Sequence, residues 1–158
     1  MEKIELLAPA GDLERLNIAV MYGADAVFIG GKRFSLRSRA SNFEVSDIKE
    51  GVKFAKTYGA QIHVTVNMLP HDEDFDGLEE YIRDLDSVGV SAVICASLYI
   101  AKKVVAMKTN MEVHLSTQQS ALNKLSTDFY QELGIKRVVL GRELSMEQIS
   151  SISKNSDI

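Results

Sequence analysis

The sequence predicts an α/β fold of the (β/α)8 TIM-barrel type, present over residues 1–158 as an incomplete barrel of about six βα units. Three observations carry this prediction. A glycine recurs between a helical stretch and a β-branched run, short apolar runs alternate with segments of helical period, and two of those runs alternate polar with apolar residues.

The glycine signal stands in Tyr22-Gly23-Ala24, Tyr58-Gly59-Ala60, Val88-Gly89-Val90 and Leu133-Gly134-Ile135. Each reads as a helix C-cap feeding a strand, because the residue after the last helical turn adopts a left-handed backbone that disfavours a Cβ. At the junction without glycine, Lys108-Thr109-Asn110-Met111, asparagine is expected to take that role.

Taken in order, the expected strands are Ile4 to Ala8, Ala26 to Gly30, Gln61 to Asn67, Ala92 to Ala96, Glu112 to Ser116 and Arg137 to Gly141. Between them, Leu13, Leu16, Ala19 and Val20 share one face of the first helix, and Leu78, Tyr81, Ile82 and Leu85 one face of the third. Helix starts fall at Asp12, Ser46, Ser97 and Ser145, the last in a capping box with Gln148. In the third strand Ile62, Val64 and Val66 oppose His63, Thr65 and Asn67; in the fifth, Val113 and Leu115 oppose Glu112, His114 and Ser116. A central strand of a doubly wound sheet is apolar on both faces, whereas a barrel lumen tolerates one polar face, so a barrel is favoured. Strands three and five share layers in such a barrel, which brings the lumen candidates His63 and His114 together. Six units exhaust the chain, and the edges of strands one and six are left unpaired, so self-association or strand exchange is expected.

Composition bounds the function. With 46% hydrophobic and 25% charged residues the chain can bury a core, and no apolar run is long enough to span a bilayer, so no membrane partner and a cytoplasmic location are expected. The net charge of −4 gives no global attraction to nucleic acid; only the stretch from Lys32 to Arg39 is basic. The lone cysteine, Cys95, ends an apolar strand and reads as a core thiol, and no metal is expected in this segment. His-Glu-x-x-His and Gly-x-Ser-x-Gly patterns are absent.

Barrel chemistry sits at the C-terminal strand ends. There the second connection carries Gly30-Gly31 followed by Lys32, Arg33, Arg37 and Arg39, cations suited to carboxylates or phosphates, although the spacing is not that of a P-loop. Asn67 ends the third strand, Ser116 and Gln118 follow the fifth, and Arg142 and Glu143 follow the sixth. Together they offer hydrogen bonds, a cation and a carboxylate to a small polar molecule. Polar residues at strand ends also serve as caps, as Asp12 in Pro9-Ala10-Gly11-Asp12 is placed to do.

Several blocks in order, Leu7-Ala8-Pro9-Ala10-Gly11-Asp12, Gly30-Gly31-Lys32, Phe34-Ser35-Leu36-Arg37, Val64-Thr65-Val66-Asn67, His114-Leu115-Ser116-Thr117-Gln118 and Arg142-Glu143-Leu144, resemble the N-terminal half of the peptidase U32 (collagenase-like protease) family. The resemblance covers nearly the whole chain and implies a barrel followed by further domains. It implies either a collagenase-like peptidase, a hydrolase, or a prephenate-dependent, iron-sulfur RNA hydroxylation factor acting on tRNA uridine. A noncatalytic subunit or binding module is the remaining alternative. In the hydroxylation branch a 4Fe-4S cluster is held by cysteines beyond residue 158, so this segment binds no cluster and is expected to be inactive by itself. Prephenate, a small dicarboxylate, becomes a candidate ligand of Arg37 or Arg39, and tRNA a partner of the full-length protein.

Overall fold

The structure is a computed structural model, and it describes residues 4–36 and 43–158. Six strands, β1 (Leu7–Pro9), β2 (Ala26–Gly30), β3 (Gln61–Val66), β4 (Ala92–Cys95), β5 (Glu112–Leu115) and β6 (Arg137–Val138), form one sheet in the order β1-β2-β3-β4-β5-β6. Every pairing is parallel. The helices are α1 (Leu13–Met21), α2 (Val45–Thr57), α3 (Leu78–Val88), α4 (Leu98–Ala106), α5 (Lys124–Glu132) and α6 (Met146–Asn155).

The sheet curls into a partial barrel. A flat sheet would hold its first and sixth strands about 24 Å apart. Here Arg137 on β6 grips the carboxylate of Glu5, just before β1, with both guanidinium arms, at 2.5 and 3.1 Å. The first and last strands therefore face one another across a lumen.

Strand register sorts residues by parity. Val27, Ile29, Ile62, Val64, Val66, Val93, Cys95, Val113 and Leu115 point outward into the apolar core beneath the helices. That core receives Leu16 and Val20 of α1, Ile48 and Val52 of α2, Leu78, Tyr81, Ile82 and Leu85 of α3, and Ile100 and Val104 of α4. The opposite parity lines the lumen, where Phe28 pairs with His63, His63 with Ala92, Thr65 with Ile94 and Ile94 with His114. His63 and His114 meet edge to face, ring centroids 4.9 Å apart, as the shared-layer argument expects.

Gly23, Gly59, Gly89 and Gly134 all take positive φ after their helices. Asn110 does not. The left-handed residue after α4 is Lys108, at φ 52°, and Asn110 instead donates its backbone N–H to the Asp86 carboxylate at 3.0 Å. Asp12, Ser97 and Ser145 cap their helices as expected. The second helix begins earlier than Ser46: Glu44 is its N-cap, and its backbone N–H is held by Asp47 at 2.9 Å. Strand one also starts later than Ile4, because the Leu6 N–H is taken by the Asp25 side chain at 2.9 Å before the ladder begins. Strand six ends at Val138; past it, Gly141 donates to the Ala121 carbonyl at 3.0 Å, which draws the chain off the sheet.

Candidate functional site

The C-terminal strand ends carry a connected polar cluster. Phe34, at φ 58°, turns the chain after β2 back over β3, so that its carbonyl accepts the Met68 N–H at 3.2 Å. A left-handed phenylalanine is strained, and here it is held by burial, by its contact with the Tyr81 ring at 5.5 Å and by the Arg33 guanidinium 5.0 Å over its face. The turn delivers Ser35 to the lumen side, 3.0 Å from the Thr65 hydroxyl. Asn67 is the hub: its carbonyl oxygen accepts from the Leu36 N–H at 3.2 Å, and its amide donates to the Gln118 side chain at 3.2 Å. Ser116 donates to the same Gln118 oxygen at 3.2 Å.

Asn67, Ser116 and Gln118, expected to cooperate, are thus brought together. Ser35 and Thr65 join them; neither was singled out from sequence as a binding residue, though Thr65 has the inward parity of Asn67. The cations are placed differently. Lys32 pairs with Glu44 at 2.5 Å, and Arg33 donates to the Asp76 carbonyl at 3.0 Å, so both brace the start of α2 and of α3. Arg142 and Glu143 are exposed after β6, and no contact joins them to the Asn67 cluster among the described residues. Arg37 and Arg39 lie outside the described residues. The Asn67 cluster is therefore a set of neutral amides and hydroxyls that can hydrogen-bond a polar ligand but not abstract a proton at neutral pH.

Below the rim, the lumen turns ionisable. His114 shares a proton position with Glu112 at 2.8 Å, and His63 lies 3.3 Å from the Gln61 amide oxygen. Burial, reinforced by the facing His114, pushes His63 down to about 4, and burial also lowers His114 against the opposing pull of Glu112. The Arg137 hydrogen bonds hold Glu5 below the ordinary carboxylate range. Both imidazoles are consequently neutral at pH 7. Among the described residues, no group of three or more His, Cys, Asp and Glu is arranged to hold a metal ion. Cys95 points to the outer core and is fully buried, which pushes its thiol up to about 12. A protonated thiol packed behind the sheet, on the face away from the lumen, is a poor nucleophile.

The model of peptidase family U32 matches residues 11–158. The chain belongs to this family. Within it, the U32 chain is 51% identical over 157 residues to "tRNA hydroxylation protein P1" of Bacillus subtilis (strain 168), a match that takes in 99% of the chain and 37% of that protein. It is 38% identical to "23S rRNA 5-hydroxycytidine C2501 synthase" of Escherichia coli (strain K12), over 98% of the chain and 23% of that protein. The U32 chain thus spans little more than a third of the first of these relatives and less of the second. Among solved structures, "U32 Peptidase Mk0906" superposes with a TM-score of 0.77 at 16% identity, covering 100% of the chain and 69% of that structure, which supports the barrel fold. No helix among the described residues is long and apolar enough to cross a membrane.

Proposed function

We propose that the protein carrying this chain is an RNA hydroxylation factor acting on tRNA uridine, and that this chain supplies the strand-end rim of its substrate site. The observation that carries the reading is the 51% identity, along nearly the whole chain, to a protein named for tRNA hydroxylation. The rim fits this role in kind. Asn67, Ser116, Gln118 and Ser35 hold and orient a polar ligand, and they leave the oxidative chemistry to a cofactor bound elsewhere. A 4Fe-4S cluster takes four thiolates, and residues 1–158 hold the single Cys95, so its ligands would come from outside these residues. When bound, such a cluster supplies electron transfer. Residues 1–158 alone are accordingly expected to be inactive, and the whole protein to work in the cytoplasm.

The family description also raises a collagenase-like peptidase. Its support is weaker, since Thr65, Ser116 and Thr117 at the rim donate to the Ile29 carbonyl, the Gln118 amide oxygen and the Leu140 carbonyl rather than to a base. The deciding experiment is nucleoside analysis of tRNA from a strain deleted for the gene. Loss of one hydroxylated uridine derivative, restored by the intact gene, is expected. Unchanged nucleosides, together with gelatin cleavage that survives extensive purification, would replace this reading with the peptidase. Absence of both, with a co-purifying paralogue, would make the protein a noncatalytic subunit.

The same reading assigns the basic loop a dicarboxylate such as prephenate, gripped in bidentate fashion by Arg37 or Arg39. Isothermal titration of the full-length protein with prephenate is expected to show at least about tenfold weaker binding for Arg37→Ala, the scale of one lost charge-assisted contact. Equal affinities would remove Arg37 from the site.

A further inference from the structure

The hydrogen bonds around Asn67 run in one direction. A backbone N–H can only donate, and the Leu36 N–H reaches Asn67 Oδ1 at 3.2 Å, with the Ser35 hydroxyl 3.5 Å from the same oxygen. The Asn67 amide is thereby turned so that its Nδ2 faces Gln118, to whose Oε1 it donates at 3.2 Å. A second run of donors ends on the same atom. The Gln118 backbone N–H donates to Ser116 Oγ at 3.3 Å, which leaves the serine proton for Gln118 Oε1 at 3.2 Å. An amide oxygen has two lone pairs, and here both are taken. Gln118 keeps its Nε2, whose two N–H groups have no partner among the described residues.

The turn that carries Gln118 is tied down on both sides. Within the 3-10 turn Thr117–Gln119, Thr117 donates to the Leu140 carbonyl at 3.4 Å and Gln119 to the Ala96 carbonyl at 2.5 Å, which anchors the turn to the chain just past β6 and β4. Gln118, between them, is exposed. Its amide is therefore held in one orientation and offers donors at the strand-end rim without an acceptor. Polarity then selects the ligand group. An N–H or hydroxyl proton finds no lone pair at this amide, whereas an acceptor oxygen can take the place of water on Nε2.

We propose that Gln118 reads an acceptor oxygen of the ligand, a carbonyl of the uracil ring or a carboxylate of the small dicarboxylate, and that Asn67 and Ser116 are positioning residues that hold its donor face outward. The inference rests on the RNA-hydroxylation reading and adds to it the kind of atom recognised at this point of the rim.

The test is isothermal titration of the full-length protein in two arms, with a uridine-bearing tRNA transcript and with prephenate. Gln118→Glu is the telling change, because its carboxylate still accepts from Asn67 and Ser116 but turns an acceptor outward. A side chain that only supported the rim would tolerate Gln118→Glu better than Gln118→Ala. The expected order is the reverse, about fivefold weaker binding for Gln118→Ala and about thirtyfold for Gln118→Glu, with thermal melting unchanged in both. The arm that shows this order identifies the source of the oxygen. Asn67→Asp keeps the Leu36 contact and loses the donor to Gln118; it should weaken binding in the wild-type background and add nothing in the Gln118→Ala background. Unchanged affinity of both Gln118 variants in both arms, or a milder effect of Gln118→Glu than of Gln118→Ala, would overturn the inference and leave the RNA reading standing. Binding of neither probe by the wild type, with gelatin cleaved instead, would overturn both.

Discussion

Gly31→Ala is expected to destabilise the chain by about 2 kcal/mol, as overpacking in a filled core does. The cause is space: a Cβ on Gly31 would lie 2.1 Å from the Tyr81 hydroxyl oxygen and 3.3 Å from the ring carbon that bears it. Tyr81 cannot swing away, since it is buried in α3 against Phe34, and Phe34 in turn carries the strained turn that delivers Ser35. The hydroxyl has no hydrogen-bond partner among the described residues, and burial pushes it up to about 12. Tyr81→Phe should therefore be neutral or slightly stabilising, because it removes a desolvated, unpaired group. In the double variant Gly31→Ala/Tyr81→Phe the nearest atom is gone, and most of the loss should return. Thermal unfolding of the four proteins measures this as a coupling of about 1 kcal/mol or more. A Gly31→Ala protein with unchanged melting, or one that Tyr81→Phe does not rescue, would refute the contact.

The second large effect is acid destabilisation through the lumen histidines. His63 is fully buried, its Nδ1 has no partner, and it is held to about 4, below the ordinary 6.5. Above pH 6.5 neither folded nor unfolded chain protonates this ring. As pH falls from 6.5 toward 4 the unfolded chain takes up a proton that the folded chain refuses, so stability drops and then levels below about pH 4. For His63 alone the loss approaches about 3 kcal/mol. His114, lowered in the same direction, adds to it; Glu5 and Glu112 oppose the lowering of both rings and Arg137 reinforces it. Denaturant titrations at pH 7 and pH 4.5 should show the loss in wild type and a smaller one in His63→Gln. Identical pH dependence in the two would show that His63 is not the group responsible.

Much of this scaffold was legible in the residues. Gly23, Gly59, Gly89 and Gly134 announced their helix ends because a left-handed cap is a local demand that glycine meets without help. The alternation in β3 and β5 announced the lumen because side-chain direction in a strand follows sequence parity. Boundaries set by distant partners were not legible. Nothing near Leu6 signals that Asp25 will take its N–H, and nothing near Asn110 signals that Asp86 will claim it. The same holds at the rim. Asn67 and Gln118, 51 residues apart, were identified as separate strand-end candidates, and the curl of the sheet made them one cluster. Lys32 and Arg33 read as ligand cations, but the acceptors that hold them, Glu44 and the Asp76 carbonyl, come from other parts of the chain.

The parity of the strands separates two kinds of evolutionary freedom. Outward positions such as Val64, Cys95 and Leu115 are answerable to the helix layer, where a change of one methylene is felt by many neighbours. Inward positions above the histidine layer, Thr65, Asn67 and Ser116, answer mainly to one another and to whatever enters the mouth. A lineage can therefore rewrite the lining every second residue, and so change what is bound, while the intervening residues keep the shell intact. One support outlasting several chemistries is a plain outcome of that arrangement, and it gives a physical route by which a single family comes to carry both peptidase and RNA-hydroxylation names.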